Sequence, residues 1–446
     1  MNHVVILNVV GLSSRHFERP EMIPNLAAFA RRGRLFPMRP SFPAVTCSVQ
    51  ATLLSGKPPS QHGIVANGCF NRETFEVKFW EQPAALVQAP RLWDMLPGCK
   101  TAVLFWQNSM FAHSDIIITP RPLHLDSGLM QWCYSKPAGY YEEVAREIGD
   151  FKLQSYWGPV ASLASSRWIG RAARFTWRKH KPNLLLAYLP HLDYSSQKFG
   201  PDSPQAQQAM REIDALVGEL LQEFSREAEV IVCSEYSLTP VNGALYPNRL
   251  LRDAGLLRVR EIAGKEYLDF ELSDAFAMVD HQIAHIYCKS NAIAAANQAL
   301  EGEASAEPRR NGRLALQSTA IEFTHIDHPR SGELVAIAPR DKWFAYYWWK
   351  DWAKAPEFAC TVDIHRKPGY DPCELWFDWP RFLRTHRLPT TATNPELVKG
   401  SHGRVDNDPA GWAALIIDEK VASAAPAPAR MDATDLAPLV CRLLLG

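Results

Sequence analysis

Residues 4–12 run VVILNVVGL, an apolar stretch interrupted by Asn8 and turned at Gly11. It is too short for a secretory leader, no basic segment precedes it and no small-residue cleavage site follows, so it is read as a buried first strand. Similar runs recur at Thr101 (TAVLFW), Leu184 (LLLAYL) and Glu229 (EVIVCSE). Helical patterns lie between them, one from about Asn25 to Arg32 and one in the amphipathic SPQAQQAMREIDALVGELLQEF from Ser203. Strands apolar along their whole length belong in a sheet covered on both faces, so the pattern predicts an α/β fold with a central, mostly parallel sheet between helices.

Composition narrows the function. The chain has 446 residues, 47% hydrophobic, with 48 basic and 48 acidic side chains. That is ample for a large core, and the balanced charge leaves no field to hold nucleic acid or an anionic membrane. No run reaches membrane-spanning length. Nine scattered cysteines without a CxxC pair suit a reducing, cytoplasmic setting.

In such sheets ligands gather beyond the carboxyl ends of strands, which directs attention to Gly11, Asp193 and Glu235. A second signal is PAVTCSVQATLLSGKPPSQHGIVANG, residues 43–68. Its middle reads as a helix ending at Gly56, with Thr46 at the N-terminus, where unpaired N–H groups and the dipole favour an anion. Thr46 is equally suited to being a plain cap.

These segments, with MIPNLAAFARRGRL, LLLAYLPHLDYSSQKFGPDS, VIVCSEYSL and KGSHGR, occur in an order and spacing that resembles the alkaline phosphatase superfamily, most of all its type I phosphodiesterase/nucleotide pyrophosphatase branch. The resemblance runs from the first strand to about Arg404. It implies the alkaline-phosphatase-like fold with an inserted lid, and a hydrolase of phosphate monoesters or diesters in which Thr46 attacks phosphorus, Asn67 donates to a nonbridging oxygen and two zinc ions assist. The alternative is a degenerate site that only binds a phosphorylated metabolite or partner.

The metal ligands depart from the family pattern. Val10 stands where the resemblance implies an aspartate, Gln197 where it implies a histidine, and Glu235-Tyr236 replaces an Asp-His pair. Asp193, Glu235 and His402 remain as strong donors with Gln197 as a neutral helper, a set suited to one divalent ion rather than two, zinc first and manganese second. The expected substrate is small and phosphorylated.

Other polar clusters offer substitutes. His191 could share a face with Asp193, and His281 and His285 lie on one face of an expected strand, where core or hydrogen-bonded roles are the simpler account. Asp363, His365 and Arg366 surround a Pro-Gly turn suited to a substrate loop. The expected organisation is a core over 1–245, an inserted β-rich lid over 246–345 containing the exposed loop EGEASAEPRRNGR, a return to the core over 346–410, and a linker with a short helix over 411–446. The aromatic run KWFAYYWWKDWAKAPEF is expected to pack the insertion.

Overall fold

The computed structural model describes residues 2–125, 128–301, 325–385, 391–419, 421 and 430–445. Most of the EGEASAEPRRNGR segment and of the Ala/Pro linker near the C-terminus lies outside these residues.

The first strand, Val4–Val9, is buried at every position and sits near the middle of a nine-stranded sheet. It pairs in parallel with Leu184–Leu189 on one side and Glu229–Cys233 on the other. Thr101–Leu104 and Ile116–Pro120 extend the parallel part beyond Leu184–Leu189, and antiparallel Cys133–Lys136 closes that edge. Helices Pro24–Arg32, Leu163–His180 and Pro204–Phe224 pack together on the sheet, and Thr46–Ser55, Leu92–Met95 and Leu436–Leu445 form a second packed group. Members of both groups contact Val4–Val9, which explains why that strand carries no polar face.

The region beyond residue 411 is more than a linker and helix. Ala413–Ile417 enters the sheet antiparallel between Glu229–Cys233 and Arg34–Arg39, and Met431–Asp432 pairs with the latter. All five residues of Ala413–Ile417 are buried, so the run AALII is a core strand.

A second hydrophobic core lies under residues of the 246–345 segment. Its three-stranded antiparallel sheet consists of Ala275–Asp280, Ile283–Cys288 and Leu334–Ile337. Trp343, Phe344, Tyr346, Tyr347, Trp348 and Trp349 are all buried in this core, the packing role expected of the aromatic run. His281 forms part of the turn between the first two strands, at φ +61°, and His285 lies on the second. The two histidines therefore do not share one strand face.

The loop carrying His402 is tied down from three directions. Lys399 N–H donates to Gln197 O at 3.0 Å, Gln282 N–H to His402 O at 2.9 Å, and Ala44 N–H to Gly403 O at 3.0 Å. Gly400 is required here, since a Cβ would meet the Ser196 carbonyl oxygen at 2.1 Å.

Candidate active site

Thr46 opens the helix Thr46–Ser55, which follows extended Val45 and ends at left-handed Gly56. Every residue of the helix is buried, so its positive N-terminal end is little screened by solvent. The Thr46 hydroxyl lies 3.2 Å from the phenol oxygen of Tyr236. The adjacent Cys47 N–H donates to Asn67 Oδ1 at 2.8 Å, and Asn67 donates its backbone N–H and Nδ2–H to Asp280 at 2.7 and 3.1 Å. Asn67 is thereby gripped behind the helix start. Asp280 ends its strand 213 residues away from Asn67, a pairing that no local pattern signals.

Beside Thr46, four rings form a column. Tyr236 lies flat on His402 with centroids 3.6 Å apart and 8° between planes, His402 meets His281 at 3.7 Å, and His281 stacks on Tyr370 at 3.5 Å. Polar side chains close the column into a circuit. Tyr370 Oη–H donates to Gln197 Oε1 at 2.7 Å, Gln197 Nε2–H to Asp193 Oδ2 at 2.6 Å, and Tyr236 Oη–H to Asp193 Oδ1 at 3.4 Å.

Both imidazoles have a defined proton. His402 Nδ1–H donates to the Ala44 carbonyl at 2.8 Å and His281 Nδ1–H to Asp280 Oδ1 at 2.7 Å, and such acceptors require the hydrogen on Nδ1. Burial holds both rings well below the usual histidine range, so they are neutral near neutral pH. His402 Nε2 is buried and has no hydrogen-bond partner. Burial also pushes the Asp193 carboxyl up to about 7, against hydrogen bonds from Gln197 and Tyr236.

Glu235 sits on the inner side of this arrangement. Its Oε1 accepts from Asn8 Nδ2–H at 2.7 Å and also from Gln50 Nε2–H. Its Oε2 and the Asn8 Oδ1 are both buried without a hydrogen-bond partner. An amide already joined to a carboxyl by one bond, with an acceptor idle on each partner, is the arrangement made with a protonated acid, in which O–H runs one way and N–H the other. Burial, opposed by hydrogen bonds from Gln50 and Asn8, pushes Glu235 up to about 8 in agreement.

Tested as a cation centre, these groups do not fit. Among the described residues, no three His, Cys, Asp or Glu side chains are grouped so as to hold a metal. Both Asp193 oxygens and both ends of the Gln197 amide hold hydrogen bonds within the circuit, which turn them toward one another. Of the buried atoms without a partner, His402 Nε2, Glu235 Oε2 and Asn8 Oδ1, the last two are accounted for by the protonated acid, which leaves His402 Nε2 alone, short of the three protein ligands of a catalytic zinc site. Asp193, Gln197 and His402 thus meet on the cavity wall through the circuit, while Glu235 is tied to Asn8 and Gln50 and is not among the lining residues; the four are not arranged as a ligand sphere.

His191 offers no replacement. It begins a helix, His191–Phe199, where residues two apart face differently, and its Nε2 is 2.8 Å from Glu212. His285 uses both nitrogens, on Val65 O and Gly332 N–H.

Thr46, Asp193, Gln197, Tyr236, His281 and His402 line one end of a cavity of about 930 Å³. Aromatic and aliphatic side chains make most of its wall, among them Trp80, Tyr156, Trp157, Phe377 and Trp379. Asp363 and His365 of the expected substrate loop also line it, whereas Arg366, paired with Asp363, does not. Among the described residues, no lysine or arginine lines the cavity. The loop is braced from beneath by Lys367, buried between Asp371 at 2.9 Å and Glu374 at 2.7 Å.

Comparison with known proteins accounts for this arrangement at the level of family and fold. The chain is 24% identical over 279 residues to an uncharacterized pyrophosphatase/phosphodiesterase of Schizosaccharomyces pombe, covering 59% of this chain and 49% of that protein. It is 27% identical over 253 residues to human ectonucleotide pyrophosphatase/phosphodiesterase family member 7, covering 52% and 48%. The matches thus take in about half the length of these curated relatives. Among solved structures, phosphonoacetate hydrolase of Sinorhizobium meliloti in complex with phosphonoformate superposes with a TM-score of 0.60 at 15% identity, over 99% of this chain and 96% of that one. Inactive murine ectonucleotide pyrophosphatase/phosphodiesterase 5 in complex with AMP does so with a TM-score of 0.58 at 15% identity, over 100% and 95%. These likenesses show the shared alkaline-phosphatase-like α/β fold. The family model for type I phosphodiesterase/nucleotide pyrophosphatase matches residues 4–371, and the chain belongs to that family.

Proposed function

We propose that this chain hydrolyses phosphoric esters through Thr46 as nucleophile. The observation that carries the reading is the position of the Thr46 hydroxyl, at the positive end of a buried helix and on the wall of a cavity large enough for a substituted phosphate. Family membership supports the same reaction class. A site that only binds its ligand would have no need to hold this hydroxyl against the Tyr236 phenol.

The wall also bears on the substrate. With no basic side chain lining the cavity among the described residues, a phosphodiester with a single negative charge is easier to desolvate there than a monoester dianion. The aromatic wall suits a bulky apolar or ring-bearing substituent. Asn67 is not among the cavity's lining residues; it holds the Cys47 N–H beside Thr46 and keeps one Nδ2 hydrogen beyond the one given to Asp280, which we assign to a nonbridging oxygen. Because the donor set does not fit an ion, the chain's own groups have to orient the ester and manage the threonine proton. The nine scattered cysteines, without a CxxC pair, keep a reducing, cytoplasmic setting as part of this proposal.

The test is hydrolysis of bis(para-nitrophenyl) phosphate by the wild-type chain and by Thr46→Ala, each checked for folding by circular dichroism. Release of nitrophenol that disappears in the variant supports the reading; equal rates in both proteins overturn it.

A further inference from the structure

We propose that the Tyr236–His402–His281–Tyr370–Gln197–Asp193 circuit does the work of a cation centre, with Tyr236 accepting the Thr46 proton while passing its own to Asp193. This rests on Thr46 being the nucleophile. A threonine hydroxyl is a poor nucleophile until a metal or a base relieves it of its proton. The phenol oxygen of Tyr236 lies between the two groups such a transfer needs, 3.2 Å from Thr46 Oγ1 and 3.4 Å from Asp193 Oδ1.

The circuit fixes that phenol with little freedom. One face of its ring is held flat against His402, whose own orientation is set by Ala44. Asp193 is in turn oriented by Gln197, and Gln197 by Tyr370. Turning Asp193 toward an ion would strand the Gln197 amide and break the Tyr236 bond, so the network holds Asp193 in the relay and away from a ligand role. Glu235 also reaches Thr46, but it is not the base, because Oε1 accepts from two amides and the idle Oε2 and Asn8 Oδ1 are the pairing of an acid that already carries its proton.

The step balances without a further reactant. Thr46 Oγ1 bonds to phosphorus as its proton moves to the Tyr236 oxygen and the Tyr236 proton moves to Asp193 Oδ1. The bond from phosphorus to the leaving oxygen breaks, and that oxygen departs with the electron pair and takes a proton from solvent. In the second half, water bonds to phosphorus and gives a proton to solvent. The Thr46–phosphorus bond then breaks, and Thr46 regains its proton from Asp193 by way of Tyr236.

The experiment measures bis(para-nitrophenyl) phosphate hydrolysis by the full chain before and after exhaustive dialysis against EDTA, with metal content read by plasma mass spectrometry. The expected result is an unchanged rate in metal-free protein and no gain on adding zinc or manganese. Tyr236→Phe, which preserves the stack, should lower kcat by about 100-fold or more with KM changed less than about twofold, and metal should not rescue it. A rate lost to EDTA and restored by zinc or manganese overturns the proposal, as does a Tyr236→Phe protein with wild-type kcat. If that EDTA-sensitive rate still requires Thr46, only the circuit falls and the nucleophile stands; if Thr46→Ala is as active as wild type, both fall.

Discussion

Replacing Glu235 with glutamine isolates one proton in the buried network. Glu235 is fully buried, and burial, opposed by the Gln50 and Asn8 hydrogen bonds and reinforced by Asp193, moves its pKa from 4.5 to about 8. The folded chain thus retains a proton that the unfolded chain releases at lower pH. The stability this group contributes is complete below its unfolded pKa and is lost as pH rises through about 8. Over that interval the cost amounts to about 5 kcal/mol as an upper bound. Glu235→Gln keeps an oxygen for both amide donors and has no proton to lose. Guanidinium unfolding of both proteins at about pH 5 and about pH 9 gives the test, because the difference between them cancels every other titration. The variant should gain stability on the wild type as pH rises and level off above about pH 8. A difference that stays constant across the range would refute the assignment of a neutral Glu235, and with it the account of the idle Glu235 Oε2 and Asn8 Oδ1.

Lys367→Met leaves Asp371 and Glu374 buried without their cation, and should destabilise the fold by about 3–5 kcal/mol, read as a lower melting temperature; KM should rise with it because the same loop lines the cavity. Tyr370→Phe removes the hydroxyl that orients Gln197 and should cost about 1 kcal/mol in stability, measured by chemical denaturation, together with a drop in kcat. Asp280→Ala deprives Asn67 of both acceptors and should cost about 1–3 kcal/mol or more, with thermal unfolding as the readout.

The buried strands were legible because a sheet covered on both faces leaves no polar alternation, and Val4–Val9, Leu184–Leu189 and Glu229–Cys233 are apolar along most of their length. The helix from Thr46 was legible from its apolar run and the stop at Gly56. Ala413–Ile417 is not legible as a core strand, because it stands far along the chain, next to an Ala/Pro-rich segment, and pairs with strands distant in sequence. The site was harder to read. Position-by-position comparison with the family identified what Val10, Gln197 and Tyr236 lacked as ligands, but the arrangement they make instead is built from long-range contacts. Tyr236 reaches Thr46 across 190 residues, and Tyr370 reaches Gln197 across 173. The hydrogen-bonded role expected of His281 matches its Asp280 contact, yet the ring also lines the cavity because a turn, not a strand, presents it.

The most direct measurement is an acid quench of the wild-type chain during turnover of bis(para-nitrophenyl) phosphate, followed by mass spectrometry of the peptide spanning Thr46. The account predicts a phosphoryl adduct on the Thr46 oxygen that is absent from Thr46→Ala. Steady hydrolysis with an unmodified Thr46, or with the adduct on another side chain, would contradict it.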